Sequence, residues 1–244
     1  MFARRKRPVE YELKPLGSQQ VERPPPSSPY RRRWLQGILG SLSTPQRAGG
    51  RSQHRSTINR TREGDELPNM LILTPRLQLR PAQRADRDEL HRLEQDPEVM
   101  RYLNGGVPTP LEPVDPDAVS FLMPRGGEPE VWAVVERESG SLAGWVALFV
   151  DDGTGELGYR FFRAFWGRGY ATEAARAVIS NAFERVGVVR IKALTMAVNT
   201  RSRRVMERLA MRHTETRIVD WSDPLPGIEE GEVEYVLERD SWRP

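Results

Sequence analysis

Two periods of apolar residues organise this chain from position 71 onward. Arg76-Leu77-Gln78-Leu79-Arg80 alternates apolar with polar positions, as a half-buried strand does. Residues 85–95 put Leu90 and Leu93 on one helical face and stop at Asp96-Pro97. A second short helix is predicted over 97–102, a Gly- and Pro-rich loop over 104–116, and a helix over 115–123 with Asp115 as N-cap ahead of Pro116. The runs 131–135, 142–150 and 156–162 suit adjacent strands, and the breaks Ser139-Gly140 and Asp152-Gly153 are hairpin signals. Ala171, Ala174, Ala175, Val178, Ile179, Ala182, Phe183 and Val186 then recur at helical spacing, with Gly187 as the stop. A strand is expected over 188–198, and a helix over 199–209 with Val205, Met206 and Leu209 facing inward. The last strands are expected over 217–221 and 232–238. This order, β-α-α-β-β-β-α-β-α-β-β, predicts an α+β domain: a mixed sheet with helices on its faces.

Before position 71 the pattern fails. Residues 1–68 contain Arg4-Arg5-Lys6-Arg7, Pro24-Pro25-Pro26-Ser27-Ser28-Pro29 and Arg31-Arg32-Arg33 with few large apolar residues, the composition of a disordered basic, Pro-rich tail. The folded domain is expected over 70–244, because Met70-Leu71-Ile72-Leu73 reads as a natural beginning. The tail then reads as an over-extended reading frame, or as a basic arm touching RNA or anionic lipid. Charge divides the same way. Residues 1–66 carry fourteen Lys or Arg against six Asp or Glu, and the remainder twenty-three against twenty-eight, within a net +3. The acidic remainder argues against nucleic-acid binding by the folded part. The absence of cysteine excludes disulfides, thiolate metal sites and a Cys nucleophile, and three scattered histidines (His54, His91, His213) build no metal cluster. No apolar run approaches the roughly 18–20 residues of a membrane span. A cytoplasmic protein without membrane contact is expected, and a homodimer is compatible with it.

One segment carries recognisable chemistry. Trp166-Gly167-Arg168-Gly169-Tyr170-Ala171-Thr172 joins the strand-like run 156–162 to the amphipathic helix. A glycine-bearing turn that opens directly into a helix offers unpaired backbone N–H groups at the positive end of the helix dipole. That is a seat for phosphate or pyrophosphate, and equally the form of a plain tight turn.

Further motifs narrow this reading. Thr74-Pro75-Arg76-Leu77, the Asp96-Pro97-Glu98-Val99 turn, the glycine turn and Asn199-Thr200-Arg201-Ser202-Arg203-Arg204-Val205-Met206-Glu207-Arg208-Leu209 occur in one order. With these, the chain resembles the GNAT superfamily of N-acetyltransferases over about positions 74–242, and is similar to its ribosomal-protein N-terminal-alanine acetyltransferase branch. The resemblance implies a mixed, mostly antiparallel central sheet flanked by helices and splayed at the acyl-CoA site, with acetyl-CoA as co-substrate. It implies that backbone N–H groups from about Arg168 through Gly169, Tyr170 and Ala171 to Thr172 bind the CoA pyrophosphate, with Trp166 and Gly167 shaping the turn. It further implies that the strand before the turn splays at a bulge, and that an N–H at Phe161 or Phe162 polarises the thioester carbonyl. Asn199 would contact the pantetheine arm, helix capping being its other reading. Ser202 would be a nearby hydroxyl, and Arg203 and Arg204 would reach the CoA phosphates or cover an exposed helical face.

An amine must be neutral to attack a thioester, and a peptide α-amine with a pKa near ~7.7–8.0 needs less help than a lysine near ~10.4. Glu156, on the strand leading to the thioester, is the candidate base, with Glu234 and Asp220 in reserve. For the departing thiolate many superfamily members carry a tyrosine where this chain has Met206, so Ser202 is the substitute acid, or else water. Ala210-Met211 stands where the family usually has Gly-Phe. The expected activity is direct, acetyl-CoA-dependent transfer to a primary amine, a protein N-terminus or a small molecule. Residues 100–116 and 221–231 are expected to wall the acceptor cleft. The alternative is a catalytically silent acyl-CoA-binding module whose basic tail contacts nucleic acid or a protein partner.

Overall fold

The structure, a computed structural model, describes residues 12–15, 70–108, 130–218 and 225–243. Nine strands form one sheet: β1 (Glu12–Pro15), β2 (Met70–Leu73), β3 (Leu77–Pro81), β4 (Val131–Glu136), β5 (Leu142–Asp151), β6 (Thr154–Phe161), β7 (Arg190–Met196), β8 (Arg212–Arg217) and β9 (Glu232–Glu238). They lie in the order β1-β2-β3-β4-β5-β6-β7-β9-β8. Every pairing is antiparallel except β6 with β7. Among the described residues, four α-helices accompany them: α1 (Arg87–Leu93), α2 (Pro97–Asn104), α3 (Tyr170–Arg185) and α4 (Thr200–Arg208). This is the expected mixed α+β arrangement.

The core divides between the two faces of the sheet. On one, Ala174, Val178, Ile179, Ala182 and Phe183 of α3 pack with Met206 and Leu209 on Leu157, Ile191, Ala193, Tyr235 and Leu237. On the other, Leu90 and Leu93 of α1 pack on Val131, Trp145 and Ala147. A buried ion pair, Arg160 with Glu94, ties the end of α1 to β6, and Arg160 also lies 5.2 Å over the Trp145 ring. Asp96 caps α2 by accepting from the Glu98 N–H, with Pro97 in the first turn.

Three expectations need correction. Within the tail read as unstructured, Glu12–Pro15 forms β1 against β2, a strand too short to register as a period. The strand expected at 217–221 is instead β8, ending at Arg217. Its sequence, Arg-His-Thr-Glu-Thr-Arg, is polar on both faces and mostly exposed, so no alternation announced it. β6 pairs with β5 in unbroken register, and the irregularity lies in the neighbouring β4–β5 pair, where Val134 faces Gly144 but Val135 faces Leu142. Gly144 has φ 155°, and a Cβ there would collide with the Arg160 carbonyl oxygen and lie 2.7 Å from Phe161 Cα. The predicted helix over 115–123 and the rest of the tail lie outside the described residues.

Candidate active site

The sheet opens in its middle. β6 and β7 pair only from Thr154 to Glu156 with Arg190 to Lys192, while the strands run on to Phe161 and Met196. Glu156 therefore marks the vertex of a V. Along β6, backbone groups alternate between the β5 side and the open side. The Phe162 N–H donates to the Ala143 carbonyl at 3.0 Å on the β5 side. Phe162 is thus not available to polarise a thioester, and the N–H groups of Tyr159 and Phe161 face the opening instead. Trp166 Nε1 reaches across to donate to the Phe161 carbonyl at 2.7 Å, so the indole packs against the strand it follows.

The glycine turn closes the wide end. Gly167 (φ 76°) and Gly169 (φ 81°) both adopt left-handed backbone, and α3 begins at Tyr170. A Cβ on Gly167 would meet nothing within 4 Å, and one on Gly169 only Arg76 Nη2 at 3.6 Å. Arg168 pairs with Glu136 at 3.2 Å and lies 5.3 Å over Phe165. Tyr170 donates to the same Glu136 carboxylate, which this hydroxyl, then Ser139, holds below its ordinary pKa. Thr172 Oγ1 is buried without a hydrogen-bond partner.

The entrance to α4 forms the second wall. Asn199 caps this helix: its Oδ1 accepts from the Ser202 N–H at 3.3 Å and its Nδ2 donates to Thr195 Oγ1 at 3.0 Å. The capping reading therefore holds, with one amide N–H left over for a ligand. Ser202 Oγ lies 2.9 Å from the Tyr159 hydroxyl, whose proton affinity burial raises well above the ordinary tyrosine value, the serine contact opposing. Arg203 is held by the Ala197 carbonyl and the Tyr235 hydroxyl, at 3.0 and 3.2 Å, rather than free for phosphate. Arg204 is exposed. Arg201 instead stacks 4.8 Å over Trp166, joining this wall to the glycine turn. Met206 is 1% exposed, a core residue without a proton to donate.

Carboxylates gather on the sheet face that α1 covers. Register sets Glu156 beside Lys192, Glu234 opposite Leu194, and Glu232 opposite Met196, all on one face. Glu156 is 2% exposed, and among the described residues its carboxylate accepts no hydrogen bond; Lys192 Nζ stands 3.2 Å away as an ion pair. Burial raises its pKa above the ordinary carboxylate range, against the pull of Lys192 and with a smaller push from Glu234. Glu232 is also buried, with Oε2 unpartnered, and its pKa is pushed up to about 7 by burial, with Glu156 and Glu234 adding and Arg217 opposing. Glu234 is tied to Thr214 Oγ1 at 3.1 Å and Arg217 at 3.6 Å. Asp220, the other reserve base, lies outside the described residues, as do parts of both expected cleft walls.

Sequence reasoning proposed Glu156, Ser202 and the glycine turn, and missed Tyr159 as a side chain, Glu232, Arg201 and the Arg76–Glu173 pair. Only strand register and cross-chain packing bring these to the site, and local pattern encodes neither.

Residues 76–212 match the acetyltransferase (GNAT) domain family, and the chain belongs to it. A relative named FsC-acetyl coenzyme A-N(2)-transacetylase, from Aspergillus fumigatus, is 34% identical over 69% of this chain and 76% of its own. A GNAT-family acetyltransferase from Bacillus anthracis shares 26% identity and a TM-score of 0.56 over 70% of this chain and 99% of that one. The ribosomal-protein-S5-alanine acetyltransferase of Vibrio fischeri shares the fold, with a TM-score of 0.52 at 15% identity over 71% of this chain and 99% of its own. The chain is accordingly an acetyl-CoA-dependent acyltransferase, and an amine is its acceptor class. The open V and the uncovered glycine turn fit an extended thioester with a diphosphate at one end.

Proposed function

We propose that this protein moves the acetyl group of acetyl-CoA directly to a primary amine, a protein N-terminus or a small molecule, with Glu156 as the base. The carrying observation is Glu156 itself: a buried carboxylate at the vertex of the V, with Lys192 at 3.2 Å as its ion-pair partner among the described residues and with a raised pKa. A carboxylate made more basic by burial can accept a proton, directly or through one water, as an ammonium must give one up before attack.

Acetyl-CoA supplies an activated acyl group on a fair leaving thiolate. The chain's own residues hold it and manage protons. The N–H groups of residues 168–172 seat the diphosphate, with the α3 dipole favouring its charge. The Phe161 N–H faces the opening, where it can donate to a thioester carbonyl. Ser202, backed by Tyr159, lies on the α4 wall as the donor toward the departing sulfur, since Met206 has no proton to give. Glu232 and Glu234 make the acceptor side acidic, which favours an amine that arrives protonated. The Aspergillus fumigatus relative is named an acetyl coenzyme A-N(2)-transacetylase, which fits transfer to a nitrogen acceptor.

The test is release of free CoA thiol from acetyl-CoA in the presence of peptides, amino-acid amines, polyamines and aminoglycosides. At least one amine class is expected to accelerate release, and mass spectrometry to find one acetyl group added to it. No acceleration by any class, with acetyl-CoA binding intact, refutes amine acetylation.

A further inference from the structure

We propose that Arg76 is a positioning residue for the diphosphate of acetyl-CoA, gripping the glycine turn from behind and neutralising the one carboxylate in the first turn of α3. This rests on the reading of residues 168–172 as the diphosphate seat.

Arg76 precedes β3, whose Leu77 and Leu79 are fully buried, so its backbone is well anchored. Its Nη1 donates to the Arg168 carbonyl at 2.9 Å. In a trans peptide the carbonyl and the next N–H point in opposite directions. Pinning the Arg168 carbonyl toward Arg76 therefore turns the Gly169 N–H away from it. The same guanidinium lies 4.7 Å over the ring of Tyr170, the first residue of α3. Its Nε donates to Glu173 Oε2 at 2.7 Å, and the Arg76 N–H and Thr74 Oγ1 donate to Oε1 at 3.1 and 2.6 Å. One side chain thus holds the residues on both sides of Gly169.

The electrostatics make this more than a tie. Glu173 sits one turn into α3, where its negative charge offsets the positive helix end that a dianion needs. The carboxylate side chain is only 15% exposed, so water screens it poorly. The Arg76 guanidinium offsets its charge, and two further donors, the Arg76 backbone N–H and the Thr74 hydroxyl, satisfy its other oxygen. Loss of Arg76 frees the turn and unmasks the carboxylate together, and both effects fall on the diphosphate.

Acetyl-CoA and S-acetyl-pantetheine carry the same thioester, but only the first has a diphosphate. KM is measured for both with the wild type, Arg76→Ala, Arg76→Lys and Gly169→Ala, using the acceptor amine found above. Arg76→Ala is expected to raise the KM for acetyl-CoA about tenfold relative to that for S-acetyl-pantetheine, within the range of a partly buried charge at a helix end. The kcat at saturating acetyl-CoA should move far less. Arg76→Lys keeps a cation for Glu173 but no second arm for the Arg168 carbonyl, so about a threefold change is expected. Should Arg76→Ala fail to fold, Arg76→Lys carries the same comparison. A proportional loss with both thioesters marks a purely structural residue and overturns the proposal, as does no change with either. If Gly169→Ala also leaves the KM ratio unmoved, the diphosphate seat itself is misplaced, which is failure of the underlying reading rather than of Arg76 alone.

Discussion

The two sides of the V are built from different materials. On the proposed reading, the CoA side is mostly backbone: N–H groups of β6 and of the first turn of α3, beside glycines with left-handed φ at positions 167 and 169. The acceptor side consists of side chains, the carboxylates of Glu156, Glu232 and Glu234, which three strands bring onto one face through register. A backbone site needs only a local sequence of about seven residues and tolerates almost any side chain pointing outward. A side-chain site needs long-range pairing, and a single substitution rewrites its chemistry. Within one family, therefore, the donor side can stay fixed while the acceptor side changes.

The largest expected effect separates the two sides. Glu156→Gln preserves shape and removes the proton acceptor. It should lower kcat about a hundredfold, the lower end of what general base catalysis contributes, with the KM for acetyl-CoA changed less than about threefold. Raising the pH should recover part of the loss, because more of the amine arrives neutral. Steady-state kinetics between pH 6 and pH 9 check this. A KM for acetyl-CoA that rises as far as kcat falls would break the division between the two sides.

That division also explains what was legible in the sequence. Helix α3 and strands β3, β4, β5, β6 and β9 follow from apolar period, because each buries a face and periodicity records burial. The glycine turn was legible because positive φ demands a particular residue at a particular place. β8 was not, being a polar edge strand held by its ladder to β9. Nor was Glu232, since the run Glu229-Glu230-Gly231-Glu232 reads as solvated charge until pairing with Met196 buries its last member. Phe162 failed for a subtler reason. Sequence locates the strand, but only the β5 pairing decides which of two adjacent N–H groups faces the opening.

Glu232 offers the next test, now of stability. Its pKa is pushed up to about 7 in the folded chain, and an unfolded glutamate titrates near ~4.3. The folded state therefore binds the proton more tightly. The associated stability is present below about pH 4 and is lost as pH rises to about 7, costing roughly 3.5 kcal/mol above that. Glu232→Gln should raise the Tm at pH 8 by about 8 °C and change it little at pH 4. Calorimetry at the two pH values decides it. An equal shift at both would show that the acceptor side carries no buried, titrating carboxylate, and the contrast with the backbone-built side would lose its electrostatic half.

The smallest effect belongs to a residue on neither side. Ala210 follows α4 at φ 60°, the left-handed conformation that terminates a helix and that favours glycine. An alanine there carries a strain of roughly 1–2 kcal/mol, of which glycine's greater unfolded-state freedom takes back about 0.5–1. Ala210→Gly should therefore raise the Tm by about 2 °C. The α4 N-terminus holds Asn199 and Ser202 through its own cap and the Tyr159 contact, two turns from the change. Both KM values and kcat should then stay at wild-type levels while stability rises. A change in kcat would mean that the far end of α4 sets the position of Ser202, and that the donor wall depends on side-chain packing as much as the acceptor side does.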